Sequence, residues 1–311
     1  MRIVFIGTGE IGLPVLRSLL QSKQHELVGV VTQPDKPAGR AQLLQAPPIK
    51  AALAGSALPI LQPGRIKREE AVAEIRALAP DVIVVMAYGQ ILPRSLLEIP
   101  RVACLNLHAS LLPRHRGAAP IQAALVAGDR QSGITVMYMD EGLDTGDILL
   151  QSRLEIAADE TGGSLHDRLA QIAPVALNEA LTHLGKGDAP RIPQDSSGAT
   201  YAPKLERENG RIDWTESAAL IERKIRAFNP WPGAFALVRN ATGRERKLKI
   251  FSGKVVAAPK TAPGEILPSD GSIMIAAKDG ALSLGEVQLE GKRRMSASTF
   301  LRGYPGIVAL Q

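Results

Sequence analysis

Short apolar runs alternate with segments of helical periodicity along the first half of the chain. Nearly continuous runs rich in Val and Ile span residues 2–6, 27–32, 82–87 and 102–107. Runs of this kind are typical of parallel strands that are buried on both faces. Segments compatible with helices follow at residues 12–21, 46–55, 68–78 and 119–127. This alternation predicts an α/β fold built on a doubly wound parallel sheet.

The next part of the chain closes this sheet and then changes character. Residues 134–139 and 148–156 either continue the sheet or form a hairpin on its edge, and a helix is predicted at about 161–184. Residues 185–203 are rich in Gly, Pro, Ser and Asp and lack apolar periodicity, which indicates a linker. We therefore predict a first domain at residues 1–189, a linker at 190–205 and a second domain at 206–311.

The last third of the chain has a different pattern, with short strands at close spacing. One amphipathic helix is predicted at residues 216–227. Predicted strands follow at residues 234–239, 247–251, 264–267, 272–277 and 280–287. Short strands separated by turns rich in Gly, Pro and Asp favour a small β-barrel.

The positive charge of the chain is concentrated in this last third. Residues 1–203 hold 19 Lys and Arg against 20 Asp and Glu, whereas residues 204–311 hold 18 against 11. A basic domain suits a polyanion such as nucleic acid, because Lys and Arg neutralise phosphates. A solvated basic face would have the same composition, so charge alone leaves both interpretations open.

The composition limits the compartments and the kinds of functional site that are compatible with the sequence. No apolar run approaches the ~20 residues that a membrane-spanning helix needs, so we expect no membrane partner. The chain enters its first predicted strand at once, without a signal peptide, which favours the cytoplasm. The single cysteine, Cys104, allows no internal disulfide and no site built on paired cysteines. We expect no metal cofactor.

A glycine motif after the first predicted strand suggests one candidate function. Gly7, Gly9 and Gly12 match the G-x-G-x-x-G pattern of dinucleotide-binding folds, with Asp35 as the candidate acid for the ribose. An NAD-dependent dehydrogenase is therefore one alternative. However, Asp35 lies within a Pro-flanked turn rather than at the end of a strand, which favours an ordinary tight turn.

A second candidate site combines an amide, an imidazole and a carboxylate. Asn106 and His108 lie two residues apart on a predicted strand and share a face at its carboxyl end, where open α/β sheets bind ligands. Together they could hold one carbonyl oxygen. Asp144, from the acidic loop 140–147, could set the tautomer of His108. A metal site that includes His115 is disfavoured, because no recognisable ligand spacing is present.

These residues resemble the folate-dependent formyltransferases. The resemblance rests on Asn106-x-His108, on SLLPRHRGAAPIQ at residues 110–122 and on DEGLDTG at residues 140–146. Residues 32–40, 211–214 and 225–233 are similar to the members that act on methionyl-initiator tRNA, and the similarity covers essentially the whole chain. One departure is Gly9, which stands where relatives usually have proline and which creates the G-x-G-x-x-G pattern.

The resemblance implies a fold, a reaction and a set of site residues. It implies a Rossmann-like domain that binds 10-formyltetrahydrofolate, followed by an OB-like β-barrel that binds methionyl-initiator tRNA. The formyl group would pass to the free amino group of the methionine, for translation initiation, and the protein would act as a monomer. The implied catalytic residues are Asn106, His108 and Asp144. The implied folate contacts are Ser110, Leu111, Leu112, Pro113, Tyr88, Gly89 and Ile91, and the implied tRNA contacts are Arg40 and Lys204.

Other acceptors would suit the same chemistry. A formyltransferase could act on a small amine, such as glycinamide ribonucleotide or an amino sugar on a nucleotide. The basic last third favours tRNA, because a small substrate does not need a domain with this excess of positive charge. A nucleic-acid-binding protein without catalysis is a further alternative, which the intact Asn106, His108 and Asp144 argue against.

Overall fold

The computed structural model of the chain describes residues 1–39, 42–240, 245–259, 261–267, 272–304 and 307–310. Up to Ala202 the strands are β1 Arg2–Gly7, β2 Glu26–Val31, β3 Lys36–Ala38, β4 Leu43–Gln45, β5 Ile60–Leu61, β6 Val82–Met86, β7 Ala103–His108, β8 Arg116–Gly117, β9 Gln131–Tyr138, β10 Ile148–Glu155 and β11 Tyr201–Ala202. The helices in this range are α1 Leu13–Gln21, α2 Pro48–Ala51, α3 Glu69–Ala77, α4 Arg94–Leu97, α5 Pro120–Ala127 and α6 Gly162–Lys186. Short 3₁₀ turns occupy Glu10–Gly12, Ser196–Gly198 and Arg207–Gly210.

The main sheet is mixed rather than wholly parallel. Its seven strands lie in the order β10-β9-β7-β6-β1-β2-β5. The predicted parallel arrangement is confirmed for β7, β6, β1 and β2, and β5, which was not predicted, joins the same parallel set. Of the two alternatives for residues 134–139 and 148–156, the structure has the hairpin: β9 and β10 are antiparallel and lie beside β7. Because the loop between β9 and β10 contains no crossover helix, it can only connect antiparallel neighbours.

The sheet has the apolar core that its sequence predicts. Every residue of β6 is buried, and Val4, Val31, Ile83 and Cys104 share one core cluster on the sheet. Burial raises the pKa of the Cys104 thiol to about 12, so the thiol stays protonated and unreactive. Among the described residues, no helix is long and apolar enough to cross a membrane.

Residues beyond the 3₁₀ turn at Arg207–Gly210 form a β-rich unit. Its helices are α7 Ala218–Ala227 and α8 Ala297–Gly303, and its strands are β12 Phe235–Asn240, β13 Glu245–Ile250, β14 Gly253–Val256, β15 Ile266–Leu267, β16 Ile273–Ala277, β17 Gly280–Leu284, β18 Glu286–Leu289, β19 Met295–Ser296 and β20 Ile307–Leu310. The strands form two antiparallel sheets, β19-β18-β13-β12-β20 and β14-β17-β16-β15. Neither sheet closes on itself within the described residues. The predicted strand 280–287 is two strands, which are interrupted at Gly285.

The chain divides into two compact units. The first comprises Met1–Pro120, Gln131–Glu155 and His166–Pro203, and the second comprises Ile121–Arg130, Ile156–Leu165 and Lys204–Gln311. Within the second unit, the segment Ile156–Leu165 is bonded to the end of α7: Gly163 donates its N–H to the Asn229 carbonyl at 2.9 Å. Arg226 donates to the Glu160 carbonyl, also at 2.9 Å. The domain limits given above stay a prediction.

Two glycines near the end of α6 give a test of this helix boundary. Gly185 lies within the helix and has open space where the methyl group of alanine would lie, so Gly185→Ala should raise the free energy of unfolding by about 0.5–1 kcal/mol. Gly187, just after the helix, has a φ of +73°, where alanine is strained. Gly187→Ala should therefore lower the same quantity by about 1 kcal/mol. Urea unfolding of both variants measures the contrast, and destabilisation by Gly185→Ala would contradict it.

Candidate active site

The structure brings together Asn106, His108 and Asp144. Asn106 and His108 lie at the carboxyl end of β7, where His108 is opposite Thr135 of β9. The loop that follows β9 returns Asp144 to them. The Asn106 amide nitrogen Nδ2 lies 3.4 Å from Asp144 Oδ1, and His108 Nδ1 lies 3.6 Å from Asp144 Oδ2. These three polar side chains therefore converge on one small region at the carboxyl end of β7.

The hydrogen bond on the far side of the His108 ring orients it. His108 Nε2 lies 2.9 Å from the His115 carbonyl oxygen, and the ring is only 6% exposed. Because a carbonyl oxygen can only accept, Nε2 must carry a hydrogen. Nδ1 is then the nitrogen that faces Asp144. A proton on Nδ1 would lie beside a carboxylate oxygen and the Asn106 amide.

Asp144 is held in place by its backbone neighbours. Its Oδ2 accepts the Gly117 N–H at 2.8 Å, and its side chain is 13% exposed. Its φ of +54° lies in the left-handed region, which residues with a Cβ rarely adopt, although Asp tolerates it better than most. Each carboxylate oxygen therefore has a hydrogen-bond donor, and the side chain has little access to water.

Asp140, in the same loop, has a structural role. Its carboxylate accepts the Gly142 N–H at 3.0 Å and the Thr145 hydroxyl at 2.8 Å. A Cβ on Gly146 would lie 1.8 Å from the Tyr138 carbonyl oxygen, so the fold of this loop requires glycine there. Within the described residues, no three His, Cys, Asp or Glu side chains are grouped as metal ligands.

The loop after β7 is anchored by two polar residues of the β9–β10 hairpin. The Thr135 hydroxyl donates to the Ser110 carbonyl at 2.6 Å and accepts the Leu112 N–H at 3.1 Å. Gln151 donates to the Leu112 carbonyl at 2.8 Å. Sequence reasoning missed these two residues, although Thr135 is a polar residue within an otherwise apolar strand. They fix the backbone of the predicted folate-binding stretch.

The predicted folate contacts differ in their accessibility. Ser110 is buried and its hydroxyl donates to the Arg114 carbonyl at 2.7 Å, so it has no free hydroxyl for catalysis in this conformation. Leu112 is also buried, whereas Leu111 and Pro113 are half-buried. Folate contacts by residues 110–113 stay a prediction.

The loop that follows β6 contains the other predicted folate contacts, Tyr88, Gly89 and Ile91. Strand β6 pairs in parallel with β7, so this loop leaves the sheet at the same end as the loop after β7. The Tyr88 carbonyl accepts from Gln33 Nε2 at 2.8 Å and from the Thr8 hydroxyl at 3.2 Å. Tyr88 is buried, and burial raises the pKa of its phenol to about 12. Gly89 has a φ of +82°, and Ile91 is 81% exposed. The loop therefore presents an exposed apolar side chain, and it follows the strand that pairs with the strand of Asn106.

The glycine motif after β1 has a packing explanation. A Cβ on Gly7 would lie 2.8 Å from the Phe5 ring and 2.9 Å from the Met86 carbonyl oxygen. Asp35, the candidate ribose ligand, accepts from Gln62 Nε2 and Lys50 Nζ, each at 2.8 Å. These hydrogen bonds, that of Gln62 first, lower the pKa of Asp35. The features that suggested a dinucleotide site thus serve local structure.

The predicted tRNA contacts are described in part. Lys204 is exposed at the start of the last segment of the second unit. Arg40 lies outside the described residues. Both assignments stay predictions.

Sequence reasoning missed a further group of residues in the predicted linker. Gln194 Nε2 donates to the carbonyl oxygens of Asp144 and Gly146, each at 2.8 Å. Thr200 Oγ1 accepts the His115 N–H at 2.8 Å. The composition of this segment indicates a linker, and no periodicity marks these two side chains as partners of the site.

Comparison with known proteins gives similarity over nearly the whole chain. A family model described as formyl transferase matches residues 1–181, and one described as formyl transferase, C-terminal domain, matches residues 204–305. The methionyl-tRNA formyltransferase of Akkermansia muciniphila is 46% identical over 99% of this chain and 98% of its own length.

Solved structures share the fold. The methionyl-tRNA formyltransferase from Clostridium thermocellum has a TM-score of 0.57 and 17% identity, over 93% of this chain and 98% of that chain. HypX from Aquifex aeolicus, in complex with tetrahydrofolic acid, has a TM-score of 0.61 and 20% identity over 97% of this chain. This chain spans only 47% of HypX.

Proposed function

The chain belongs to the formyl transferase family, and on that premise we propose that it transfers the formyl group of 10-formyltetrahydrofolate to the amino group of methionyl-initiator tRNA. The convergence of Asn106, His108 and Asp144 at the carboxyl end of β7 carries this proposal. The product would be formylmethionyl-tRNA for translation initiation. The enzyme would act in the cytoplasm, where that tRNA is used, and as a monomer.

The reaction exchanges one carbon–nitrogen bond for another. Folate supplies a formyl group on its N10 nitrogen. The amine nitrogen bonds to the formyl carbon, the bond from that carbon to N10 breaks, and one proton passes from the amine to N10. Negative charge develops on the formyl oxygen on the way. The site must therefore supply hydrogen-bond donors to an oxygen and a base for the amine.

The geometry supports separate roles for the three residues. Asn106 Nδ2 and a protonated His108 Nδ1 would donate to the formyl oxygen, since Nε2 is committed to the His115 carbonyl. A single preorganised donor of this kind typically contributes about 10²–10³ in rate. Asp144, within 3.6 Å of both nitrogens, would accept the proton of the amine and return it to N10, with a water molecule as the relay.

The loops beside the trio would bind the folate. The loop that contains Tyr88, Gly89 and Ile91 and the stretch Ser110–Pro113 leave the neighbouring strands β6 and β7. The exposed Ile91 offers an apolar flank for a flat ring, and the backbone at residues 110–113 is held rigidly. These features fit a ligand with an aromatic body and one reactive carbonyl.

The second unit would bind the tRNA through an OB-like arrangement of its two sheets. Its support is the excess of basic residues after position 203 and the exposure of Lys204, Lys249 and Lys254. Exposed Lys side chains neutralise phosphates and bind nucleic acid without reading its sequence. Arg40 would be a further contact with the acceptor arm.

Reversing the charge of Lys204 should weaken tRNA use without slowing the chemistry. Lys204→Glu is expected to raise the KM for methionyl-tRNA several-fold and to leave kcat unchanged. The slope of log kcat/KM against log salt concentration should become less steep by about the amount that one phosphate contact contributes. Steady-state kinetics at several salt concentrations measures this. Lys23→Glu is the control, because Lys23 is an exposed lysine just before β2, at the amino ends of the parallel strands and so at the opposite end from the site. Equal effects of both variants would contradict a specific contact.

The direct test of the proposed reaction follows both products. Purified protein, 10-formyltetrahydrofolate and methionyl-initiator tRNA should yield tetrahydrofolate and formylmethionyl-tRNA in equal amounts. Release of formate without formylated tRNA would contradict the proposal.

A further inference from the structure

We propose that residues 192–202, which we term the supporting segment, hold His108 and Asp144 in their reactive arrangement and so make Gln194 and Thr200 positioning residues. This inference rests on the proposed function, because it assigns these residues to the same formyl-transfer site. The composition of the segment predicts a linker. In the structure it belongs to the first unit and is bonded to three parts of the site.

Gln194 connects the Asp144 loop to β8. Its Nε2 donates to the carbonyl oxygens of Asp144 and Gly146 at 2.8 Å, which uses both amide hydrogens. Its Oε1 accepts from Arg116 Nη2 at 2.7 Å and from Arg116 Nε at 3.1 Å. A single side chain thus stabilises the backbone of a loop whose key residue has a positive φ.

Thr200 acts on His108 through one intermediate residue. Its Oγ1 accepts the backbone N–H of His115 at 2.8 Å and lies 3.4 Å from His115 Nδ1. The carbonyl of the same His115 receives the hydrogen bond from His108 Nε2 at 2.9 Å. The Thr200 hydroxyl therefore helps to fix the acceptor that orients the His108 ring, together with the Thr200 backbone carbonyl, which accepts the Arg116 N–H of the same peptide at 2.8 Å.

Backbone pairing completes the support. Tyr201 and Ala202 pair in parallel with Arg116 and Gly117. Gly117 is also the residue whose N–H binds Asp144 Oδ2 at 2.8 Å. At the other end of the segment, Ile192 forms an antiparallel bridge with Ile148 of β10. The supporting segment is thereby fixed on both sides of the loop that carries Asp144.

These contacts should affect the rate of transfer more than the binding of substrate. Neither Gln194 nor Thr200 is placed among the groups that touch the formyl group, so they act through Asp144 and His108. Misplacement of a reacting group by about 1 Å can cost up to about 10²-fold in rate. We expect kcat to fall and the KM values for folate and tRNA to change little.

The first test uses Thr200→Val and Thr200→Ser. Valine keeps the shape of threonine and removes the hydroxyl, so Thr200→Val should lower kcat by about 10-fold or more. Thr200→Ser keeps the hydroxyl and should retain kcat close to that of the wild type. If the two variants have the same kcat as the wild type, the inference is wrong.

The second test uses Gln194→Glu, with Ser197→Ala as the control. Glutamate can still bind Arg116 but cannot donate to the Asp144 and Gly146 carbonyls, so kcat should again fall by about 10-fold or more. The Ser197 side chain lies in the same segment and bonds to Asp195, away from the site residues, so its variant should behave as the wild type. A loss of similar size in Ser197→Ala would indicate a general structural role and overturn the inference.

A double-mutant cycle separates positioning from general stability. In an Asp144→Asn background, the carboxylate that Gln194 positions is already lost, so Gln194→Glu should cost only about 2-fold more in single-turnover rate. A full additional loss would contradict the inference. The wild type, assayed in parallel, tests the proposed function separately: a wild type that forms no formylmethionyl-tRNA refutes the proposed function, whereas an active wild type with fully active Thr200→Val and Gln194→Glu refutes only the inference.

Discussion

Replacing His108 by alanine or Asp144 by asparagine should lower the rate of formyl transfer by about 10²–10⁴-fold, the usual contribution of a positioned acid or base. His108→Ala removes a donor that faces Asp144 at 3.6 Å. Asp144→Asn keeps the size of the side chain and removes the negative charge and the base. Single-turnover formation of formylmethionyl-tRNA measures both effects, and circular dichroism shows whether each variant is folded.

The control for this result is a neighbouring carboxylate. Asp147→Asn makes the same change of charge at the end of the same loop, away from the contacts that join Asp144 to Asn106 and His108, and its rate should remain near that of the wild type. A folded His108→Ala or Asp144→Asn variant that keeps more than about a tenth of the wild-type rate would contradict the assigned roles.

Replacing Gly117 by alanine should damage both activity and stability. Gly117 has a φ of +111°, and its Cβ would lie 2.6 Å from the Ala202 carbonyl oxygen and 2.8 Å from the Tyr201 ring. The alanine side chain therefore disrupts either the pairing of β8 with β11 or the hydrogen bond from the Gly117 N–H to Asp144. We expect a fall in the free energy of unfolding of about 1–3 kcal/mol, from backbone strain, and a loss of transfer rate of about 10²-fold.

The matched control for Gly117 is another loop glycine. At Gly64 no atom lies within 4 Å of the position that a Cβ would occupy, and its φ is not positive, so Gly64→Ala should leave both quantities nearly unchanged. Urea unfolding and single-turnover kinetics on both variants make the comparison. A Gly117→Ala variant with wild-type stability and wild-type rate would contradict the tight pairing of β8 and β11 and its link to Asp144.

The elements that the sequence predicts correctly are those with long apolar patterns. Strands β1, β2, β6 and β7 lie within one or two residues of the predicted runs, because continuous burial leaves a clear hydrophobic signal. Short elements such as β5 and α4 were missed, since a few residues contain too little periodicity. The predicted helix at 46–55 is reduced to α2 Pro48–Ala51.

The direction of the edge strands could not be obtained from apolar runs alone. A buried strand has the same composition in either direction, and only the short connection between β9 and β10 distinguishes a hairpin from a crossover. In the last third, the break at Gly285 was missed because strands β17 and β18 are separated by this single residue. A Cβ there would lie 2.5 Å from the Ser252 hydroxyl, a contact that only the folded chain shows.

The candidate site was predictable where local geometry decides it. Because Asn106 and His108 lie two residues apart on one strand, they had to share a face of it. The loop 140–147 returns Asp144 to them. Gln194 and Thr200 could not be found in the same way, because their partners lie about 50 to 85 positions away in sequence and the β8–β11 pairing involves two residues on each side. Short pairings between distant segments carry no periodic signal.

The most direct measurement offers 10-formyltetrahydrofolate, labelled on its formyl group, to three acceptors in parallel: methionyl-initiator tRNA, charged elongator tRNA and glycinamide ribonucleotide. The same reactions are run with His108→Ala. The expected result is label on methionyl-initiator tRNA alone, and almost none with the variant. Label on glycinamide ribonucleotide, or equal labelling of initiator and elongator tRNA, would contradict the proposed acceptor, and no label on any acceptor would contradict formyl transfer itself.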